Sequence, residues 1–190
     1  MYKRQALYQD KGLQLQVEPG LREIDLGEWE DVPWAEIAIR WPQEYECWEK
    51  HPERCCVPGG ETQAELRKRL RATFDRLVEQ NRGKTIAIVS HGAAIRALLG
   101  SIADLPIAEL PALGWCDNTA VSYVCVGDDD TPRLIYKYDN SHLGDFTTLG
   151  KQTWWRDGND AENRNLWYQP AILPGDEEKL ACLLYTSRCV

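Results

Sequence analysis

The stretch that decides the fold runs from Thr85 to Gly100 and reads TIAIVSHGAAIRALLG. Its first part, Ile86 to Val89, is a short apolar run rich in β-branched residues, which is typical of a strand buried on both faces. After Gly92 the apolar residues recur at helical spacing, and Gly100 is predicted to close that helix. A buried strand that passes through a short turn into a helix predicts an α/β fold.

His91 is predicted to lie at the carboxyl end of this strand, immediately before the helix that begins at Gly92. Ligands bind at this end of the strands in open α/β sheets. The free N–H groups and the dipole of a helix start favour an anion, and Gly92 leaves room for a ligand because it has no side chain. The pattern therefore predicts His91 and Gly92 as parts of a phosphate-sized anion site.

The bulk composition excludes several classes of function. The chain has 190 residues, enough for one domain with a real core, and a formal net charge of −8. No basic stripe offsets that charge, so neither nucleic acid nor a membrane surface is an expected partner. The seven cysteines show irregular spacing and no C-x-x-C. This predicts a reducing, cytoplasmic setting without a zinc site.

A long amphipathic helix is predicted after the PGGET motif. Thr62 and Glu65 form a T-x-x-E capping box, and Gly83 is predicted to end the helix. Its apolar stripe comprises Leu66, Leu70, Phe74, Leu77 and Val78. The order helix, strand, His-Gly, helix again indicates an α/β fold.

Three other segments have readable patterns. Alternating apolar residues predict a short half-buried strand from Leu13 to Val17. Residues 120–126 and 133–138 flank the turn-forming GDDDTP and predict a β-hairpin. Tryptophans at seven-residue spacing are predicted to face the core from short helices: Trp34, Trp41 and Trp48.

Glu23 is the candidate acid or base, because it follows a Pro-Gly break from which a side chain can point into a cleft. A serine-hydrolase interpretation fails, since Ile88 occupies the first glycine position of Gly-x-Ser-x-Gly around Ser90. A metal-hydrolase interpretation fails as well, because the three histidines show no paired spacing.

Five motifs occur in a characteristic order: LREIDLGEWE, PGGET before a helix, IAIVSHGAAIRALL, DNTAVSYV and YDNSHL. Together they closely resemble the histidine phosphatase superfamily, the phosphoglycerate-mutase-like group that includes α-ribazole phosphatases and broad bacterial phosphatases. The resemblance extends from Leu13 to Leu143. It implies a three-layer α/β/α sandwich and phosphoryl transfer through a phosphohistidine, without a metal or other cofactor.

By this resemblance, His91 matches the family's second histidine, which binds the phosphoryl group and stabilises its developing charge. Glu23 matches the acidic residue that protonates the leaving oxygen and then activates water. Phosphoryl transfer needs donors around three equatorial oxygens and a proton for the departing alkoxide. The resemblance therefore implies hydrolysis of a phosphate monoester, with a small phosphorylated metabolite as substrate.

The sequence departs from the family pattern at its front. Family members begin with a strand that carries Arg-His-Gly, whose histidine is the nucleophile, and a second arginine follows in R-x-x-Q-T-A. Here the only His-Gly follows Ser90 rather than an arginine, and no Q-T-A follows Arg4. We therefore expect a truncated gene product that lacks the nucleophile, its arginine and the first strand, and that is inactive alone.

An absent interior strand would leave a seam of unpaired backbone, which we expect to favour a homodimer or aggregation. The predicted division is a partial histidine phosphatase domain over residues 1–145 and a C-terminal extension over 146–190. That extension is predicted to be the start of a second domain followed by a non-native tail. Two other functions stay open: phosphoryl transfer of the phosphoglycerate mutase type, and a non-catalytic fragment or phosphate-binding relic.

Overall fold

Four strands form one mixed sheet in the computed structural model, which describes residues 11–146 and 182–186. The strands are β1 (Ile86–Ser90), β2 (Val121–Val126), β3 (Pro132–Asp139) and β4 (Cys182–Thr186), in the spatial order β1-β4-β2-β3. β4 is parallel to β1 and antiparallel to β2, and β2 is antiparallel to β3. β1 and β3 therefore run in the same direction, and their carboxyl ends share one edge of the sheet.

The described residues also form α-helices and 3-10 helices around this sheet. The α-helices are α1 (Trp34–Arg40), α2 (Pro42–Lys50), α3 (Gln63–Gln80) and α4 (Gly92–Ile102). The 3-10 helices are Pro19–Leu21, Gly27–Trp29, Ile107–Leu113 and Ser141–Phe146. The predicted α/β class, the long helix after PGGET and the 120–138 hairpin are confirmed.

The main core lies between α3, α4 and the sheet. The predicted stripe of α3 is buried at Leu66, Leu70, Phe74 and Leu77, and every residue from Ala93 to Gly100 is buried. Each fully buried leucine or phenylalanine contributes roughly 1.5–3 kcal/mol relative to an exposed one. This packing fixes the start of α4 against the end of β1.

A second, smaller core forms around Trp29. Its ring is 1% exposed and meets the rings of Trp34 and Trp48 edge-on, at centroid distances of 6.1 and 5.8 Å. Trp34 begins α1 and is 44% exposed, whereas Trp41 and Trp48 are half-buried. Of the predicted tryptophans, Trp34 and Trp48 lie on short helices and Trp41 lies between them, and the buried centre of the cluster is Trp29.

Two local predictions are wrong. No strand forms from Leu13 to Val17, and the side chains of Leu13 and Val17 are exposed, because no neighbouring strand pairs with this segment within the described residues. Gly100 does not close α4, which continues to Ile102. A Cβ atom at Gly100 would lie 2.3 Å from Leu110 Cδ2, so close packing explains this glycine.

The predicted open seam is also wrong. β4 lies between β1 and β2 and pairs with both, so the interior position of the described sheet is filled. This strand comes from the predicted C-terminal extension, of which only residue 146 and residues 182–186 are among the described residues. The remainder of that extension, and the N-terminal residues 1–10 with Arg4, lie outside the described residues.

Candidate active site

Glu23 lies on a loop that leaves the 3-10 turn Pro19–Leu21. The Glu18 side chain caps this turn by accepting from the Gly20 N–H, and Pro19 occupies its first position. The loop then continues without regular structure to the next 3-10 turn at Gly27. Its path is therefore set by contacts with other elements rather than by its own hydrogen-bond ladder.

The carboxylate of Glu23 is held at the amino end of α4. Its oxygens accept hydrogen bonds from the backbone N–H groups of Ala94 (2.8 Å), Ala93 (3.2 Å) and the neighbouring Ile24 (2.9 Å). The first N–H groups of a helix have no partner within the helix, and the helix dipole favours a negative charge there. The anion at this helix start is therefore the protein's own carboxylate.

His91 occupies the N-cap position of α4, with extended backbone angles of φ −117° and ψ 167°, but its side chain makes no capping hydrogen bond. It directly follows β1, so its backbone lies at the carboxyl end of that strand. The structure thus brings Glu23 to the helix start at which His91 is the N-cap residue. Their catalytic roles, and substrate binding at Gly92, stay predictions.

A tryptophan and a buried arginine lie beside Gly92. A Cβ atom at Gly92 would be 3.6 Å from Cζ3 of Trp115, and the Arg96 guanidinium lies 3.8 Å from the centre of that ring. Burial lowers the pKa of Arg96. The sequence analysis missed this pair, although a charged residue at a core position of an apolar helix is an unusual signal.

Ser90 has a structural role at the end of β1. Its hydroxyl is buried and donates to the Leu21 carbonyl at 2.6 Å, which ties β1 to the turn before Glu23. This contact is in keeping with the absence of a serine-nucleophile motif.

The other histidines occupy different positions. His51 is exposed at the end of α2, and its Nδ1 lies 3.7 Å from a carboxylate oxygen of Glu53. His142 Nε2 lies 3.1 Å from Thr119 Oγ1 and follows β3, which ends at the same sheet edge as β1. Strands lie about 4.8 Å apart, so three strand spacings separate β1 from β3 by about 14 Å.

The loop of Glu23 also packs against the PGGET segment. Glu61 N donates to the Asp25 carbonyl at 2.8 Å, and Glu28 N donates to the Pro58 carbonyl at 2.9 Å. A Cβ atom at Gly60 would lie 2.7 Å from the Asp25 carbonyl oxygen, so only glycine allows this approach. Besides forming the turn before α3, this glycine segment therefore allows the loop of Glu23 to pack closely against it.

A surface cavity of about 560 Å³ opens beside this junction. Its lining mixes cations, carboxylates and small residues: Arg22, Asp25, Gly59, Gly60, Glu61, Glu65, Lys68, Arg69 and Ala72. Neither Glu23 nor His91 lines it.

In residues 11–146 and 182–186, no group of three or more His, Cys, Asp or Glu side chains is placed to hold a metal. The described helices include none with the length and apolar character of a membrane span.

The fold is of the α/β type, and Glu23 lies at the helix start that directly follows β1 and His91. Residues 4–139 match the sequence profile of the histidine phosphatase superfamily, branch 1, and the chain belongs to this family.

The curated relatives carry phosphatase and mutase names. The chain is 26% identical to phosphoserine phosphatase 1 of Hydrogenobacter thermophilus over 72% of its own length and 64% of the relative's. It is 36% identical to a probable phosphoglycerate mutase GpmB of Yersinia enterocolitica over 50% of the chain and 44% of the relative. The chain therefore spans less than two thirds of either protein.

Solved structures of the same fold agree with this membership. Bacillus stearothermophilus YhfR superposes with a TM-score of 0.70 at 24% identity, over 73% of this chain and 68% of that one. The mycobacterial glucosyl-3-phosphoglycerate phosphatase in complex with inorganic phosphate superposes with a TM-score of 0.59 at 26% identity, over 67% and 66%. The phosphoglycerate-mutase-like fold is confirmed.

Proposed function

We propose that this chain carries the phosphoryl-binding and acid–base residues of a phosphate monoester hydrolase that acts on a small phosphorylated metabolite in the cytoplasm. Family membership and the phosphatase names of its relatives support this reaction class. The observation that carries the proposal is the Glu23 carboxylate at the helix start at which His91 is the N-cap residue.

In the proposed reaction, a histidine nitrogen attacks phosphorus, the P–N bond forms and the ester P–O bond breaks. Glu23 acts as the general acid that passes a proton to the leaving alkoxide, while His91 donates to the equatorial oxygens. Water then attacks phosphorus, Glu23 takes its proton, and cleavage of the P–N bond releases inorganic phosphate. Proton transfer of this kind typically contributes about 10²–10⁴-fold in rate.

The nucleophile is the missing part of this proposal. His91 cannot attack phosphorus and also donate to the same phosphoryl group. His51 is exposed at the end of α2, and His142 lies beyond β3 with its ring beside Thr119, so neither directly follows β1 as His91 does. We therefore propose that a nucleophilic histidine must come from outside this sequence and that the chain alone turns over phosphate esters negligibly.

Phosphate binding tests the site without requiring turnover. Inorganic phosphate is titrated into the 190-residue chain, and the backbone amide NMR signals of Gly92, Ala93 and Ala94 are followed. We expect saturable shifts that His91→Ala weakens at least tenfold. His51→Ala, which removes an exposed histidine elsewhere, should leave the affinity unchanged. Equal affinities in wild type and His91→Ala would overturn the role of His91.

Turnover of p-nitrophenyl phosphate tests the catalytic roles. The chain is compared with a version that ends at residue 181 and is extended at its N terminus by a family strand that ends in Arg-His-Gly, so that the added strand can take the position that β4 fills. We expect activity only in the extended version, with a loss of about 10²–10⁴-fold in Glu23→Gln. Activity of the unextended chain that disappears in His91→Ala would instead make His91 the nucleophile.

A mutase is the second candidate, because the GpmB relative is 36% identical to this chain over the matched region. A mutase returns the phosphoryl group to a substrate hydroxyl, whereas a phosphatase gives it to water. Inorganic phosphate released from 3-phosphoglycerate by the extended version would favour the phosphatase, and isomerisation without release would favour the mutase.

A further inference from the structure

Arg69, on α3, uses its guanidinium to hold the loop that carries Glu23. Its Nε and Nη2 donate to the two carboxylate oxygens of Glu61 at 2.8 and 2.6 Å. Its Nη1 donates to the carbonyls of Gly20 (2.9 Å) and Arg22 (3.1 Å), and Nη2 donates to the carbonyl of Glu23 (3.2 Å). A guanidinium has five N–H donors, and these contacts give five donor–acceptor pairs.

Other long-range bonds hold the two ends of this loop: the Ser90 hydroxyl donates to the Leu21 carbonyl, and Glu61 N donates to the Asp25 carbonyl. Between the turn at Leu21 and the turn at Gly27 no helix or strand ladder fixes its backbone. The loop also lies directly on α3, since a Cβ atom at Gly20 would be 2.1 Å from Thr73 Oγ1. Arg69 is therefore the side chain that ties the carbonyls on both sides of Arg22 to a rigid helix.

We propose that Arg69 is a positioning residue: held by Glu61, it fixes the backbone of residues 20–23 and thereby aims the Glu23 carboxylate at the first N–H groups of α4. This inference rests on the proposed acid–base role of Glu23. Arg69 itself reaches no reacting atom and acts only through the loop.

The physical basis is the rigid geometry of the guanidinium. The Arg69 and Glu61 side chains are only 19% and 11% exposed, so their bidentate ion pair is protected from solvent. Because Glu61 fixes two of the N–H groups of Arg69, the directions of its other N–H groups are also fixed. The loop carbonyls can accept from all of them in only one loop conformation. A lysine has the charge but not this planar fork. A shift of about 1 Å would break the 2.8 Å contact between Glu23 and Ala94.

Arg67 provides a matched control on the same helix. Its Nη2 donates to the Gly100 carbonyl at 3.1 Å, and its Nη1 donates to the Leu105 carbonyl. It is therefore also an arginine of α3 that tethers backbone carbonyls, but those carbonyls lie at the far end of α4 and beyond it. Arg67→Gln removes a comparable tether without touching the loop of Glu23.

The test uses the amide NMR signals and hydrogen-exchange rates of Ala93 and Ala94 in the 190-residue chain. Glu23→Ala serves as the reference for loss of the carboxylate. We expect Arg69→Gln to move both signals toward the Glu23→Ala positions and to speed exchange at least tenfold. Arg67→Gln should leave both at wild-type values, even if it lowers the melting temperature equally.

Arg69→Lys and Glu61→Gln cover the case in which Arg69→Gln does not fold. Lysine keeps the charge without the fork and should move the signals in the same direction, and Glu61→Gln should give an intermediate change. Folding of each variant is checked by the amide signals of the β2–β3 hairpin. Wild-type Ala93 and Ala94 signals in any folded Arg69 variant would overturn the proposal.

This readout is separate from the proposed function. If phosphate does not bind but the Arg69 variants shift Ala93 and Ala94, the proposed function fails and the positioning role stands. If phosphate binds and Arg69→Lys leaves Ala93 and Ala94 unchanged, the positioning role fails alone.

Discussion

Gly92 and Gly100 lack side chains for different reasons, although both lie in α4. A Cβ atom at Gly92 would make an ordinary 3.6 Å contact with Trp115, whereas one at Gly100 would lie 2.3 Å from Leu110 Cδ2. Gly92 therefore has no packing requirement within the described residues, and we predict instead that it leaves room for a ligand.

We expect Gly92→Ala to fold with a stability equal to or about 0.5–1 kcal/mol above wild type, because alanine restricts the unfolded chain and suits a helix. Its affinity for inorganic phosphate should fall at least fivefold. Gly100→Ala should lose about 1–3 kcal/mol from overpacking. Urea denaturation and the phosphate titration measure both effects, and unchanged phosphate affinity in Gly92→Ala would contradict the binding role.

Cys55 and Cys56 are adjacent but differ in environment. Cys55 is buried, and burial raises its pKa to about 12, whereas Cys56 is exposed. The thiolate is the reactive form, so we expect iodoacetamide at pH 8 to label Cys56 in minutes and Cys55 only after unfolding in urea. Site-resolved mass spectrometry distinguishes the two. Comparable labelling of both in the native protein would contradict the buried position of Cys55.

At the scale of residues, the sequence predicted the positions of Glu23 and His91 from a turn break and a strand–His-Gly–helix pattern. It did not predict the partners of Arg69, because their carbonyls belong to a loop more than forty residues earlier. Backbone acceptors carry no sequence signal, so long-range tethers of this kind become visible only in the structure.

At the scale of elements, the capping box of α3 gives a test of local structure. The Thr62 hydroxyl accepts from Glu65 N at 3.2 Å, and the Glu65 carboxylate accepts from Thr62 N at 2.9 Å. We expect Thr62→Ala to lose about 1 kcal/mol of stability and Thr62→Ser to lose far less. Urea denaturation at neutral pH measures the difference, and equal stability of the two variants would contradict the cap.

The same cap carries a pH dependence. Hydrogen bonds from the backbone and side chain of Thr62 lower the pKa of Glu65 in the folded protein. The stabilisation that ionised Glu65 gives the folded protein is therefore complete above the ordinary glutamate pKa. It is lost as pH falls through the lowered pKa of Glu65 in the folded protein. The stability gap between wild type and Thr62→Ala should narrow over that acidic range, and a gap that widens there would contradict the assignment.

Elements with strong local patterns were predictable, and the others were not. α3, α4 and the β2–β3 hairpin follow from periodicity, caps and turn residues that lie within each segment. The alternation at Leu13–Val17 has the same appearance, yet it forms no strand because a strand also needs a neighbour. Pairing of β4 with β1 joins segments far apart in the chain, and no local pattern encodes it.

At the scale of the whole molecule, β4 determines whether the described sheet is continuous. Each residue from Cys182 to Thr186 is paired with β1, and Cys182 to Tyr185 are also paired with β2. β1 has no other partner in the described sheet, because it is the terminal strand in the order β1-β4-β2-β3. Within the described sheet, β4 is therefore the only strand that connects β1, which ends at Ser90, to the β2–β3 hairpin.

Removing β4 should open the seam that the sequence analysis expected. We predict that deletion of residues 182–190 lowers the melting temperature and produces concentration-dependent dimers or aggregates, because unpaired strand edges recruit other chains. Leu184→Pro should act in the same direction, since proline removes a ladder donor at the position paired with Ile88 and Ser122. Deletion of residues 187–190 alone is the control, because it leaves every paired residue in place.

Size-exclusion chromatography at several concentrations, together with thermal denaturation, measures the outcome. A monomer with wild-type melting temperature after the longer deletion would show that the sheet does not depend on β4.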